Sequence, residues 1–391
     1  MTLALLLILL IGNSLLYRSL LNPIVIQTGL WLMYYLIFWY NQAYFAVNLD
    51  DITPFIVMSC LGFSLGGVIC WGLYQKVLFQ MIPTPISFDD TTILDKNLLI
   101  FYPFVLLALV ITLPMIVREV GQFSWGDIQE LRNTLVEGDG KLFGLYGLIQ
   151  TLSSVYLVLL LTNTSFSWRS GILLLVFMIY TYLLGSRGQL IFFVMPLVYN
   201  LLWKGKVLVG QAIIGSFLFI IFIVLITLGR SSDLSWDSVI PMLLTYFTAS
   251  LPALSLASLD PVPYFGYNTF RVVWLWIGRL GFNIPVAPVI SEWISTPLPT
   301  NTYSYLKPYY MDFGMLGVFV IPLLLGFVYN LLYFRAKRFH LSSLYVLGFL
   351  MYALFMQPIE EQYFRWLTNW FYIVFLIKFL EKVEIKWFDT K

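Results

Sequence analysis

The chain has 391 residues and a formal net charge of +2, and 60% of its residues are hydrophobic while only 11% are charged. This composition excludes an ordinary soluble protein and is typical of a protein that crosses the membrane many times. The single histidine, His340, excludes a histidine-rich metal site and argues against a Ser-His catalytic triad. Cys60 and Cys70 lie in one apolar segment without disulfide or metal-ligand spacing and are predicted to be buried thiols.

Apolar segments along the chain predict an all-α polytopic membrane protein with about eleven transmembrane helices, forming one integral membrane domain over residues 1–391. In chain order the segments are Leu3–Tyr17, Pro23–Val47, Pro54–Tyr74, Leu98–Val117, Leu142–Leu161, Gly171–Leu184, Leu190–Trp203, Val207–Leu228, Gly314–Phe334, Ser342–Met356 and Leu367–Ile377. The first has no positive residue before it and no cleavage site after it, so we expect a retained helix rather than a signal peptide.

Charges in the connecting loops predict the orientation. The loops after odd-numbered segments and the C-terminal tail carry mostly lysine, and the positive-inside rule makes them cytoplasmic. The other face is mostly arginine: Arg118, Arg132, Lys141, Arg187, Arg230, Arg271, Arg279, Lys307 and Arg365. A guanidinium binds phosphate or carboxylate through two parallel hydrogen bonds. Arginines on the extracytoplasmic face, against the positive-inside rule, therefore indicate that this face has a function. For those in the longest loop, the alternative is that long loops are exempt from the rule.

The first large extracytoplasmic loop, residues 118–141, is predicted to contain a short interfacial helix. Ser124 or Asp127 can begin this helix, and Gly138 can end it. One side of the helix is apolar, and Arg132 lies on the other side, where it can reach a substrate. The alternative is a solvated lid without substrate contact.

The turn Gly185-Ser186-Arg187-Gly188 joins two apolar segments that are each shorter than the ~20 residues a full crossing needs. Ser186 can cap the second segment, and the backbone N–H groups of Gly188 and Gln189 then point into the same pocket as the Arg187 guanidinium. This geometry predicts a phosphate-binding turn. The alternative is an ordinary hairpin whose arginine reaches the lipid head groups.

The second large extracytoplasmic loop, residues 229–313, is predicted to carry short helices. It begins with Arg230, and a proline-interrupted apolar stretch follows that fits a re-entrant or surface-lying helix better than a crossing. Arg271 and Arg279 then flank two tryptophans. The proline-rich run Pro285–Pro308 is not expected to form regular helix.

Three sequence elements together resemble a known family. They are the Ser-Arg-Gly turn, an outer Leu-Arg-Asn at residues 131–133, and a segment that reads P-x-N-x-Y over Pro299–Tyr303 and Y-x-D-F-G-x-x-G over Tyr310–Gly317. This pattern resembles the Wzy-type oligosaccharide repeat-unit polymerases of bacterial O-antigen and capsule assembly. The resemblance covers most of the chain, and its most specific parts are the Ser-Arg-Gly and Asp-Phe-Gly elements.

The loop charges and the odd number of segments predict an extracytoplasmic N-terminus and a cytoplasmic C-terminus. The resemblance implies a glycosyltransferase of the bacterial inner (plasma) membrane with a GT-C-like architecture. Its active site would face the periplasm or the exterior. There it would transfer a growing glycan from undecaprenyl pyrophosphate to another lipid-linked repeat unit. The implied partners are these undecaprenyl-pyrophosphate-linked oligosaccharides, the lipid bilayer and a chain-length regulator, with no nucleic acid. No cofactor is expected, and the outer carboxylates lack metal-ligand spacing, which favours a metal-independent reaction.

Five arginines are our candidates to bind the pyrophosphate. Arg187 is the first choice, followed by Arg230 and Arg279, and Arg132 and Arg271 are further candidates for the same role or for sugar contacts. Their guanidinium groups can stabilise the charge that develops as the glycosidic bond breaks.

The sugars and the attacking hydroxyl need other residues. Asn301, Tyr303 and Tyr310 are candidates to bind sugars by hydrogen bonding and stacking, and the alternative is an ordinary interfacial aromatic belt. A general base is also required. The related ligases are expected to use a histidine, which this chain lacks on its outer face, so we choose Asp312 and then Glu292. Asp312 can instead be the N-cap of the following helix.

Two other functions remain as alternatives. One is an O-antigen ligase-type transferase that attaches the finished glycan to a terminal acceptor, and the missing outer histidine argues against it. The other is a flippase or transporter of lipid-linked oligosaccharides. A transporter is expected to carry charges within many spans, whereas these segments are nearly free of charge.

Overall fold

The protein is described here from a computed structural model, and nearly all of its regular structure is helical. The structure describes residues 2–45, 47–75, 91–120, 141–184, 187–215, 221, 245, 248–257, 262–288, 291–296, 299–338 and 340–383. The helices are α1 (Thr2–Tyr17), α2 (Pro23–Tyr40), α3 (Gln42–Phe45), α4 (Leu49–Leu73), α5 (Thr91–Val120), α6 (Lys141–Asn163), α7 (Trp168–Leu183), α8 (Arg187–Trp203), α9 (Ser250–Leu256), α10 (Arg271–Arg279), α11 (Lys307–Lys337), α12 (Leu341–Phe355) and α13 (Leu367–Lys382). A short antiparallel pair joins β1 (Ile294–Ser295) to β2 (Pro299–Thr300).

The prediction of a helical membrane protein is confirmed. Within the described ranges, five helices are long and apolar enough to cross a membrane, and four shorter apolar helices accompany them. The number of crossings remains a prediction, as does the GT-C-like architecture. Most of the predicted segment Val207–Leu228 lies outside the described residues.

The chain divides into two compact units. Unit 1 comprises Met1–Thr84, Ser235–Lys337 and Ala353–Thr368, and unit 2 comprises Pro85–Leu234, Arg338–Tyr352 and Asn369–Lys391. Unit 1 therefore contains α1–α4 and α9–α11. Unit 2 contains α5–α8 with most of α12 and α13.

The centre of unit 1 is the pair α4 and α11, whose backbones touch. Gly62 and Gly66 are four residues apart on α4, and a Cβ atom at Gly66 would overlap the carbonyl oxygen of Leu323. On α11, a Cβ atom at Gly326 would overlap the backbone of Phe63 in the same way. Small residues spaced by four allow this close approach, which matters in lipid because the hydrophobic effect does not drive helices together there.

A buried amide joins α1 and the start of α2 to this pair. The Nδ2 group of Asn330 on α11 donates to the carbonyl of Gly67 at 2.7 Å and to the hydroxyl of Tyr17 at 3.2 Å. Its Oδ1 atom accepts from Asn22 at 3.0 Å. One side chain thus links α11 to α1, α4 and the residue before α2, so every polar atom of this amide is satisfied in an apolar surrounding.

Unit 2 is built on α5, α6, α7 and α8, which pack side by side. Within it, Gln150 donates to Thr181 at 3.1 Å. At one end, Lys204 donates to Asn163 Oδ1 at 2.7 Å and to the Tyr345 hydroxyl at 2.8 Å. Burial lowers the pKa of Lys204 to about 8.

Candidate functional site

The first seven residues of α11, Lys307–Phe313, are the part of unit 1 in which the sequence motif meets several loop stretches. We call this stretch the anchor segment. Its side chains contact different neighbours, so several separate parts of the chain are tied to it. It ends at Gly314, where the backbone leaves the helical conformation with φ 61° and ψ −153°. That region is accessible essentially to glycine alone, which explains why the motif has glycine after Asp-Phe.

Asp312 fixes the loop that leads into α10. Both carboxylate oxygens accept from the backbone N–H of Asn268 at 3.1 Å, and Oδ2 accepts from the N–H of Thr269 at 2.6 Å. The Asn268 side chain adds a hydrogen bond to Oδ1 at 2.9 Å. Asp312 lies two residues before the break at Gly314, and the hydrogen bonds of its carboxylate run to this distant loop, which argues against the N-cap alternative. A carboxylate bonded at both oxygens is better suited to positioning than to proton transfer.

Phe313 packs against the same loop. Its ring centroid lies 5.0 Å from that of Phe265 and 6.4 Å from that of Phe270. Phe270 in turn meets Phe364 edge to face at 5.3 Å. Because aromatic edges and faces attract one another, these rings hold the approach to α10 against the anchor segment.

Tyr309 joins the anchor segment to the turn between α12 and α13. Its hydroxyl donates to Glu361 Oε1 at 3.0 Å, and the same carboxylate accepts from the backbone N–H groups of Tyr363, Phe364 and Arg365. Glu361 is 8% exposed. Burial raises the pKa of Glu361, and these backbone hydrogen bonds oppose that rise. The turn is therefore ordered around one buried carboxyl group.

Lys307 and Tyr303 form a separate contact at the other end of the anchor segment. The Lys307 ammonium lies over the Tyr303 ring, 3.5 Å from its centroid. The Tyr303 hydroxyl donates to the backbone carbonyl of Glu292 at 3.0 Å, and the side chain of Glu292 is exposed. Burial raises the pKa of Tyr303, and the charge of Glu292 adds to this rise. The predicted stacking of a sugar on Tyr303 is thus disfavoured, because the ring is buried and a lysine covers one face.

The two other sugar candidates lie on either side of this contact. Asn301 is half-buried in the extended stretch after β2, two residues before Tyr303. Tyr310 is half-buried and meets Phe55 of α4 edge to face at 4.9 Å. As predicted, the described part of the proline-rich run contains no regular helix before Lys307.

The amphipathic helix α10 carries two of the predicted arginines. Arg271 at its start is half-buried and donates from Nε to the carbonyl of Ala287 at 2.8 Å. Burial lowers the pKa of Arg271. Arg279 is exposed at the last residue of the helix. Trp274 donates to the carbonyl of Gly266 at 3.1 Å, which fixes α10 to its own leading loop.

The remaining predicted arginines are described only in part or not at all. In unit 2, α7 ends at Leu183 and α8 begins at Arg187, so the two predicted short helices are present, whereas the predicted tight turn between them remains a prediction. Gly185, Ser186 and the side chain of Arg187 lie outside the described residues, as do Arg132 and Arg230. The predicted common arginine pocket therefore remains a prediction.

Sequence reasoning placed Lys307 only among the basic residues of the outer face and gave it no role. The signal for a role was its spacing: it follows Tyr303 by four residues, at the start of the motif helix. The described residues of the site bring together Asp312 with the α10 loop and Lys307 with Tyr303 and Glu292. Searches against protein-family models, curated proteins and solved structures give no match to this chain.

Proposed function

We propose that this chain is a polymerase that transfers a growing glycan from undecaprenyl pyrophosphate to a lipid-linked repeat unit at the outer face of the bacterial inner membrane. The anchor segment carries the proposal. It contains Asp312 and Phe313 of the Asp-Phe-Gly element on which the family resemblance rests. Its side chains hold three separate loop stretches, around Asn268, Tyr303 and Glu361.

This arrangement suits a transferase that works at a membrane surface. Its substrates are large and partly anchored in lipid, so the groups that meet them must sit on loops. Those loops must nevertheless be held within a fraction of an ångström of their working positions, because misplaced groups lose much of the rate advantage of proximity. A short segment of polar and aromatic side chains at the start of a helix that packs on α4 provides such a support.

The reaction has a simple balance of atoms. An acceptor hydroxyl oxygen attacks the anomeric carbon of the donor sugar, and the bond from that carbon to the pyrophosphate oxygen breaks. The pyrophosphate leaves with the bonding electron pair, and the hydroxyl proton passes to a base. Arg271 and Arg279 on α10 are proposed to bind the leaving pyrophosphate. Arg187, Arg230 and Arg132 remain candidates from the sequence for the same role.

The two candidate bases take different roles in this proposal. Asp312 is a positioning residue, because its two oxygens already accept hydrogen bonds from Asn268 and Thr269. Glu292 is the proposed general base, because its exposed side chain belongs to the segment that Tyr303 holds in place.

The test is the length profile of surface glycan in a bacterial strain that lacks this gene. We expect a ladder that collapses to a single repeat unit, full recovery with the wild-type gene, and no recovery with Arg187→Ala or Arg279→Ala. The Lys337→Gln variant is the control, because Lys337 is exposed at the far end of α11. Lipid-linked polymer without surface attachment would instead indicate a ligase, and repeat units retained on the cytoplasmic side would indicate a transporter.

A further inference from the structure

Lys307 differs from Lys204 in what surrounds its charge. Lys204 is also partly buried, but its ammonium donates to Asn163 and to the hydroxyl of Tyr345. Lys307 is half-buried, and within the described part of the chain no oxygen accepts a hydrogen bond from it and no carboxylate forms an ion pair with it. Its contact is the Tyr303 ring at 3.5 Å.

An ammonium group carries three N–H donors, and burying them without acceptors is unfavourable. The Tyr303 ring compensates one side of the charge through its negative face. The other donors remain available to a ligand. The ring itself cannot turn away easily, because Tyr303 is 6% exposed and its hydroxyl is bonded to Glu292.

Lys337 offers a natural comparison on the same helix. Its ammonium also lies over a tyrosine, 4.9 Å from the Tyr333 ring centroid. Lys337 is exposed, so water can accept its hydrogen bonds. The combination of a held ammonium and restricted access to water is found at Lys307 and not at Lys337.

We propose that Lys307, held over the Tyr303 ring, binds a phosphate oxygen of the polyprenyl-pyrophosphate carrier. The inference deepens the proposed function, on which its biological meaning rests, and adds a lysine to a site otherwise assigned to arginines. A lysine binds phosphate as a point charge with rotatable donors, which suits a group that must be released after each transfer. Glu292 interacts electrostatically with Lys307, so the proposed general base lies near the proposed phosphate contact.

The experiment measures binding to the purified full-length protein in detergent. The probe is geranylgeranyl pyrophosphate, and geranylgeraniol is the uncharged counterpart with the same prenyl chain. We expect Lys307→Gln to weaken pyrophosphate binding about tenfold, since a hydrogen bond to a charged group is lost. Lys307→Arg should stay within about threefold of the wild type, Lys337→Gln should bind normally, and geranylgeraniol binding should not change in any variant.

The same measurement identifies the source of the phosphate. Phosphatidylglycerol in the mixed micelles should compete poorly with the probe if Lys307 recognises the carrier, whereas inorganic pyrophosphate should compete. Equal competition by phosphatidylglycerol would assign Lys307 to bulk lipid head groups and overturn the proposal. Unchanged affinity in Lys307→Gln, or equal losses for the pyrophosphate and the alcohol, would also overturn it.

A second measurement uses the wild-type protein, so it does not require that any variant folds. In the wild-type protein, the probe should protect Lys307 from acetylation while Lys337 stays reactive, as read by mass spectrometry of peptides. Absence of protection would contradict the proposal. The two proposals can also fail separately. A deletion strain with normal glycan length would remove the polymerase assignment but leave Lys307 as a phosphate-binding residue. Normal pyrophosphate binding by Lys307→Gln would remove that role of Lys307 but leave the polymerase assignment.

Discussion

The two parts of α11 on either side of Gly314 are stabilised in opposite ways. Beyond Gly314, the helix packs on α4 through glycines, and the contact is between backbones. Before Gly314, the anchor segment uses one polar or aromatic side chain for each neighbour, as Asp312 does for the α10 loop and Tyr309 does for Glu361. The first part depends on shape and the second on individual polar contacts.

This difference predicts whether a substitution in α11 should reduce mainly stability or mainly the proposed activity. In the packed part, added atoms have nowhere to go, so substitutions should reduce the stability of the whole of unit 1. In the anchor segment, removing a side chain releases one loop, so substitutions should reduce the proposed activity more than stability. The following experiments can break or sharpen this contrast, from the largest expected effect to the smallest.

The largest effect is expected from Gly66→Ala. The new methyl group would overlap the Leu323 carbonyl, so the helices must separate, at a cost of about 3 kcal/mol in unfolding free energy. The measurement is unfolding of the purified protein in detergent, followed by tryptophan fluorescence. The matched control is Gly72→Ala on the same helix, where a Cβ atom meets nothing within 4 Å. Equal stability of the two variants would show that the backbone contact does not hold α4 to α11.

Gly314→Ala comes next, with an expected loss of about 2 kcal/mol. Here too a Cβ atom would meet nothing within 4 Å, so the loss arises from the backbone conformation rather than from overlap. Gly72→Ala is again the control, because it causes neither atomic overlap nor an unfavourable backbone conformation. The anchor segment should also shift, so glycan chains in a complemented deletion strain should shorten. Wild-type stability with wild-type chains would mean that the break in α11 is not required.

Asp312→Ala should act mainly on the α10 loop. It leaves the N–H groups of Asn268 and Thr269 without their acceptor, and we expect about 2 kcal/mol of lost stability with faster proteolysis near that loop. Asp312→Asn retains one acceptor oxygen, so it should recover part of the lost stability and part of the resistance to proteolysis. A positioning role predicts this graded response in glycan length.

The contrary result is also informative. If Asp312→Asn and Asp312→Ala abolish polymer equally while Asn keeps the loop resistant to proteolysis, then the carboxylate acts chemically. That outcome would return Asp312 to the role of general base and remove Glu292 from it.

The sequence predicted the packed part of unit 1 better than the anchor segment. Long apolar runs are a local property, so α4 and the spanning part of α11 could be located from hydropathy. The predicted helix start at Gly314 marks instead a break inside a helix that begins at Lys307. The partners of Asp312 lie 43 and 44 residues away, and no local pattern records that pairing.

The smallest effect is expected from Tyr303→Phe, which separates the two functions of this tyrosine. It removes the hydrogen bond to the Glu292 carbonyl but keeps the ring under Lys307, so stability should fall by about 1 kcal/mol while geranylgeranyl pyrophosphate binding stays within about twofold of the wild type. Tyr303→Leu removes the ring as well and should weaken that binding further, because the ammonium loses the support that orients it. If the two variants bind alike, the ring does not orient Lys307, and the anchor segment holds its loops through hydrogen bonds alone.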